Sequence, residues 1–160
     1  MYRTQTSDND CGPIAIWNAL AHSQNTTQLV GIRKLIRDCN PNDSYGTYPW
    51  EITRVANDYA SGIISKRPTF KKHKILHEMN SFILLYSFKH EKHIGAHYVF
   101  VVRKKLKRDT EYAFNVYNYY DPHDDEYSHI TIHPNDFKHF FLNSSYKPLG
   151  IDYPQAWEVH

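Results

Sequence analysis

Only two cysteines, Cys11 and Cys39, occur in 160 residues. A small extracellular fold stapled by disulfides ordinarily carries more, so no disulfide framework is expected. No apolar run approaches the roughly 18 residues that a membrane-spanning helix needs. The first residues show no basic-then-apolar signal pattern. A soluble protein of a reducing compartment, cytoplasmic or host-intracellular, is therefore expected, with no membrane partner. Net charge is small as well, +2 from 19 Lys and Arg against 17 Asp and Glu with 11 histidines uncharged. That is too mild to imply a nucleic-acid partner. Internal repeats, low-complexity tracts and linkers rich in Gly, Pro or Ser are all missing, which argues for one domain over residues 1–160.

What is present is apolar and aromatic. Apolar residues make up 41% of the chain and aromatics 15%, including 13 Tyr, so a largely aromatic core is expected. CGPIAIWNALAH reads as a helix with Pro13 in its first turn and almost no polar face, hence buried on most sides. TTQLVGIRKLIRDC reads as an amphipathic helix capped at Thr26 or Thr27, with Leu29, Ile32, Leu35 and Ile36 as its apolar stripe. YPWEITRVANDYA suggests a third helix and KKHKILHEMN a short fourth. The period then changes. FILLYSF, AHYVFVVRKK, EYAFNVYNYYD and YSHITIH have the β-branched and aromatic composition of strands. NDFKHFFLN closes as a short helix capped by Asn135. Helices followed by strands predict an α+β fold with a mainly antiparallel sheet.

Three residues stand out by position. Cys11 falls at the first position of the first helix, where free backbone N–H groups and the helix dipole favour a thiolate, the nucleophilic form. His97 begins the strand HYVFVV, just after the small residues Gly95 and Ala96, which leave room for a substrate. Asp121 ends the next strand and could accept from one ring nitrogen of His97, leaving the other to face Cys11. Gln5, six positions before Cys11, can donate its side-chain amide to an oxyanion together with the Cys11 backbone N–H.

The glutamine and the cysteine six residues on, at the head of a long buried helix, resemble papain-like cysteine peptidases. The wording QTSDNDCGP, then HYVFVV, then DP at Asp121–Pro122, is similar to the peptidases that remove double-glycine leaders from bacteriocins, and to their free-standing relatives. The closing HITIHPNDFKHFF resembles that family's last strand and helix. The resemblance implies a papain-like fold, the nucleophile on a central helix packed against the sheet, and hydrolysis of a peptide or isopeptide bond through an acyl-thioester. It implies Cys11, His97, Asp121 and Gln5 as the catalytic set, a protein or peptide substrate with a small residue such as Gly before the cut, and neither metal nor cofactor.

Other readings stay open. The same Cys-His-Asp set serves deconjugation of a modifier, acyl transfer or deamidation, and the fold could act as a binding module with its chemistry unused. Cys11 alone could be a small core residue, His97 a satisfied core histidine and Asp121 a turn former. Asp124 and Asp125 compete with Asp121 for the orienting role but lie past Pro122, in the turn. Asp10 reads as a helix cap, and Cys39 as structural. His73 with His77, and His123, Asp124, Asp125 with His129, have metal-ligand spacing, but histidine is frequent throughout this chain. The basic run RKKLKRD from position 103 reads as a solvated hairpin tip. The tyrosines of FNVYNYYDP could line a substrate groove near His97 or pack in the core.

Overall fold

Residues 82–86 are apolar at every position. A strand sends successive side chains to opposite faces, so such a run needs cover on both. In the computed structural model, which describes residues 2–23, 31–40, 46–67, 78–107 and 111–160, Ile83 and Leu85 join one buried cluster and Phe82, Leu84 and Tyr86 another. The elements run α1 (Cys11–Ser23), α2 (Ile32–Cys39), α3 (Pro49–Ala60), β1 (Ile64–Lys66), β2 (Ser81–His90), β3 (His93–Lys105), β4 (Tyr112–Asp121) and β5 (Glu126–Ile132). There follow α4 (Pro134–Phe137), a π-helical turn (Lys138–Leu142), a 3₁₀ turn (Pro148–Gly150) and β6 (Gln155–Val159). The sheet order is β1-β6-β2-β3-β4-β5, and every neighbouring pair is antiparallel. The architecture is α+β, as expected.

The first three helices cover one face. Every residue of α1 from Cys11 to Leu20 is buried, because the helix lies between α2, α3 and the strands β2, β3 and β4. On the other face Phe137, from α4, meets Phe82 and Phe114 and also Phe141 from the turn after it, with ring centroids 4.5–6.2 Å apart. Aromatic side chains fill this layer because edge-on and tilted pairs pack a shallow interface with large area.

Several boundaries differ from the sequence reading. The second helix starts only after Gly31, whose ψ of 138° is extended; the caps proposed at Thr26 or Thr27 lie outside the described residues. So does most of the fourth helix, over 71–80, and residues 79 and 80 are not helical. The closing helix begins at Pro134 with His133 as N-cap, so Asn135 is inside it and does not cap it. The strand bearing His97 begins at His93, which puts Gly95, Ala96 and His97 within β3. Two short strands, β1 and β6, escaped the reading. Residues 103–105 of the basic run end β3, where Lys105 pairs with Tyr112 of β4, and Arg108 and Asp109 lie outside the described residues. Cys39 is fully buried in the helical layer. No described helix is long and apolar enough to cross a membrane.

Candidate active site

The site sits where β3 and β4 part. Their pairing runs from Lys105↔Tyr112 to Phe100↔Tyr117 and ends there, while β4 carries an irregularity between Val116 and Tyr119 in its pairing with β5. Asn118, inside that irregularity, has φ +66°. Asn is among the few residues that adopt this left-handed conformation readily. The strand ends splay, and the polar groups that would have paired across them become available to side chains.

Asn118 uses all of its own. Its Oδ1 accepts the Gln5 backbone N–H at 2.9 Å, and its Nδ2 donates to Gln5 Oε1 at 2.6 Å. Its backbone N–H donates to His129 Nδ1 at 3.2 Å. Its carbonyl lies 2.6 Å from His97 Nε2. A carbonyl only accepts, so Nε2 carries the proton and the neutral ring presents its lone pair at Nδ1. His97 is 4% exposed, held edge-on to Tyr86 at 5.9 Å and beside Tyr120 and Tyr127. Burial lowers its pKa from 6.5 to about 4, with the Asn118 carbonyl pulling the other way.

Cys11 reaches the same neighbourhood from α1. The backbone N–H groups of Tyr98, the residue after His97, of Gly12 and of Cys11 itself face the sulfur and favour its anion. Burial outweighs them, Asp10 adds to the rise, and the thiol is pushed up to about 11. The helix N-terminus thus acts in the expected direction, but in a desolvated position the neutral thiol prevails. The resting pair is thiol and neutral imidazole. Gly12 is needed for the close approach of α1 to the chain before α3, since a Cβ there would lie 2.5 Å from Thr47 Oγ1.

Gln5 and Asp121 are not arranged as the sequence reading expected. The Gln5 amide donates to the Ser7 carbonyl at 2.9 Å and the Asp8 carbonyl at 3.4 Å, which shapes the loop leading to Cys11. Asn18, buried in α1, anchors the chain ahead of it by accepting the Arg3 N–H at 2.7 Å and donating to the Arg3 carbonyl at 3.1 Å. The Asp121 carboxylate accepts the His123 backbone N–H at 2.9 Å, an Asx-type turn bond. It is not bonded to His97, whose partner is the Asn118 carbonyl. Asp10 accepts the Ile14 N–H through its backbone carbonyl at the helix start.

Ala96 lines space beside the thiol, and Gly95 lines the space adjoining it. A cavity of about 120 Å³ is walled by Cys11, Thr47, Leu85, Ala96 and Tyr98. It shares Asn9, Ala96, Leu149 and Tyr153 with a second cavity of about 610 Å³, which Gly95 also lines. Among the described residues no group of three or more His, Cys, Asp or Glu side chains is placed to hold a metal. His73 and His77 lie outside the described residues. Asn118 was missed because its contribution to His97 comes from its backbone, and as one of two asparagines in β4, with Asn115, it carries no distinguishing mark in the sequence. The chain matches no family model and no curated protein.

Proposed function

We propose that the protein is a papain-like cysteine peptidase that hydrolyses a peptide or isopeptide bond through an acyl-thioester on Cys11. The observation that carries this reading is the fixed tautomer of His97: its Nε2–H is committed to the Asn118 carbonyl, and the adjacent Tyr98 N–H faces the Cys11 sulfur. A base with a free Nδ1 lone pair thus stands next in sequence to the group that meets the nucleophile.

The thiol and imidazole are neutral at rest, so the proton moves as the bond forms. Cys11 Sγ attacks the substrate carbonyl while His97 Nδ1 takes the thiol proton. The oxyanion collects charge near the Cys11 backbone N–H. Gln5 Nε2 donates to the Ser7 carbonyl and, over a longer contact, to the Asp8 carbonyl; the longer contact is the one that gives way to the oxyanion. Imidazolium then protonates the leaving amine, the C–N bond breaks, and water hydrolyses the thioester with His97 again as base. Asn118 takes the orienting role that the resemblance gave to Asp121. The narrow cavity beside Cys11 suits a small residue before the cut.

A second reading is favoured by the same burial: a thiol at about 11 and an imidazole at about 4 suit a binding module with inert chemistry. A peptide-library digest read by mass spectrometry separates the two. New N-termini from wild type, missing with Cys11→Ala and with His97→Ala, support the peptidase. A shift of about one mass unit at Gln or Asn without chain cleavage indicates deamidation, and no product at all favours the binding module.

A further inference from the structure

On the sheet face covered by α4 lies a cavity of about 640 Å³ that the steps above do not use. Its walls include Tyr86, Phe88, Tyr120, Phe140, Phe141 and Tyr146. The volume is that of a ligand site rather than a packing defect.

Two walls of this cavity also touch the proposed base. Tyr86 meets His97 edge-on at 5.9 Å and Tyr120 lies 6.0 Å from it. The cavity is therefore one aromatic layer from the imidazole. The rings around it already pair with one another, Tyr86 with Phe141 at 4.8 Å and 86° and Phe88 with Tyr120 at 5.5 Å. Walls of this kind offer ring faces and edges to another aromatic group. Phe140 lines the cavity and is 56% exposed, so an occupant would also remove a large apolar surface from water.

The direction of the chemistry says which part of a substrate comes here. His97 protonates the leaving amine, so the segment following the scissile bond must pass within reach of His97 as it departs. We propose that this cavity receives an aromatic side chain from that departing segment. The identity of the occupant rests on the peptidase reading; the affinity of the cavity for an aromatic group does not.

The test separates the two. Full-length Cys11→Ala protein, which cannot turn over, is titrated with tyrosyl-alanine amide and with alanyl-alanine amide, following amide resonances by NMR. We expect the tyrosyl compound to bind about tenfold more tightly, with shifts centred on the cavity, and to lose about fivefold on Phe140→Ala. Trp50→Ala, at an exposed ring elsewhere, leaves the affinity unchanged and controls for general effects. In parallel, wild type is given peptides with Tyr or Ala immediately after the cut. A preference for Tyr in kcat/KM that Phe140→Ala abolishes supports the proposal. Cleavage without that preference overturns it and leaves the peptidase reading standing; equal binding of the two amides overturns it whatever the cleavage result. Phe140-dependent tyrosyl binding with no cleavage of any peptide upholds the aromatic site and counts against the peptidase reading.

Discussion

His97 Nε2 donates to the backbone carbonyl of Asn118 across 2.6 Å, and this bond fixes which ring nitrogen carries the proton and which the lone pair. The carbonyl is presented by a residue at φ +66° in an irregular stretch of β4. Orientation of the histidine therefore depends on backbone conformation, with the side chain of Asn118 free to bind Gln5.

If Cys11 and His97 act as proposed, Asp121 is dispensable for chemistry. Its carboxylate serves the His123 N–H. We expect Asp121→Ala to retain peptide cleavage within about threefold of wild type, where loss of a true orienting carboxylate costs about 10⁴ in kcat. Steady-state kinetics on a cleaved peptide decide it; a loss approaching the larger factor returns Asp121 to the triad.

Asn118 should be costly to replace. Asn118→Ala removes both side-chain bonds to Gln5, leaves buried polar groups unpaired and puts Ala at positive φ. Together these cost about 2–4 kcal/mol. Asn118→Gly relieves the backbone strain but not the lost bonds, so it should fall between wild type and Asn118→Ala in urea melts. Because the carbonyl persists, the folded Gly variant should keep His97-dependent cleavage. Equal stability of Asn118→Ala and wild type would contradict this.

Stability should fall in acid through His97. Its pKa is 6.5 when unfolded and about 4 when folded, so the unfolded chain binds more protons between those values. The contribution of the neutral buried ring is fully present above pH 6.5 and is lost as pH falls toward 4, amounting to about 3 kcal/mol. Urea unfolding at stepped pH should show this limb in wild type, flattened in His97→Gln. An identical limb in both would assign acid sensitivity to other groups.

Much of this was legible in the sequence because local pattern and tertiary role agree. Cys11 to Leu20 has almost no polar face and is a buried helix; residues 82–86 are apolar throughout and lie in a central strand covered on both faces. β6 was missed because five residues after Pro154 give too short a pattern, although Trp157 is fully buried. The site was legible as residue types and less so as bonds. Cys11 and His97 are named by their neighbours in sequence. The partner of His97 is a carbonyl, which every residue has, and only the parting of β3 from β4 makes this one available. Likewise, the helix N-terminus favours a thiolate by its own dipole; burial by the sheet, which sequence position does not reveal, reverses the balance.

The most direct measurement is labelling of Cys11, in protein carrying Cys39→Ser, by a peptidyl fluoromethyl ketone and by iodoacetamide across pH, with and without His97→Ala. We expect iodoacetamide to react slowly at neutral pH and faster only as pH rises toward 11, the behaviour of a buried neutral thiol. The peptidyl reagent should label Cys11 at neutral pH and lose that labelling with His97→Ala. Labelling by the peptidyl reagent that is missing, or indifferent to His97, would contradict a catalytic pair.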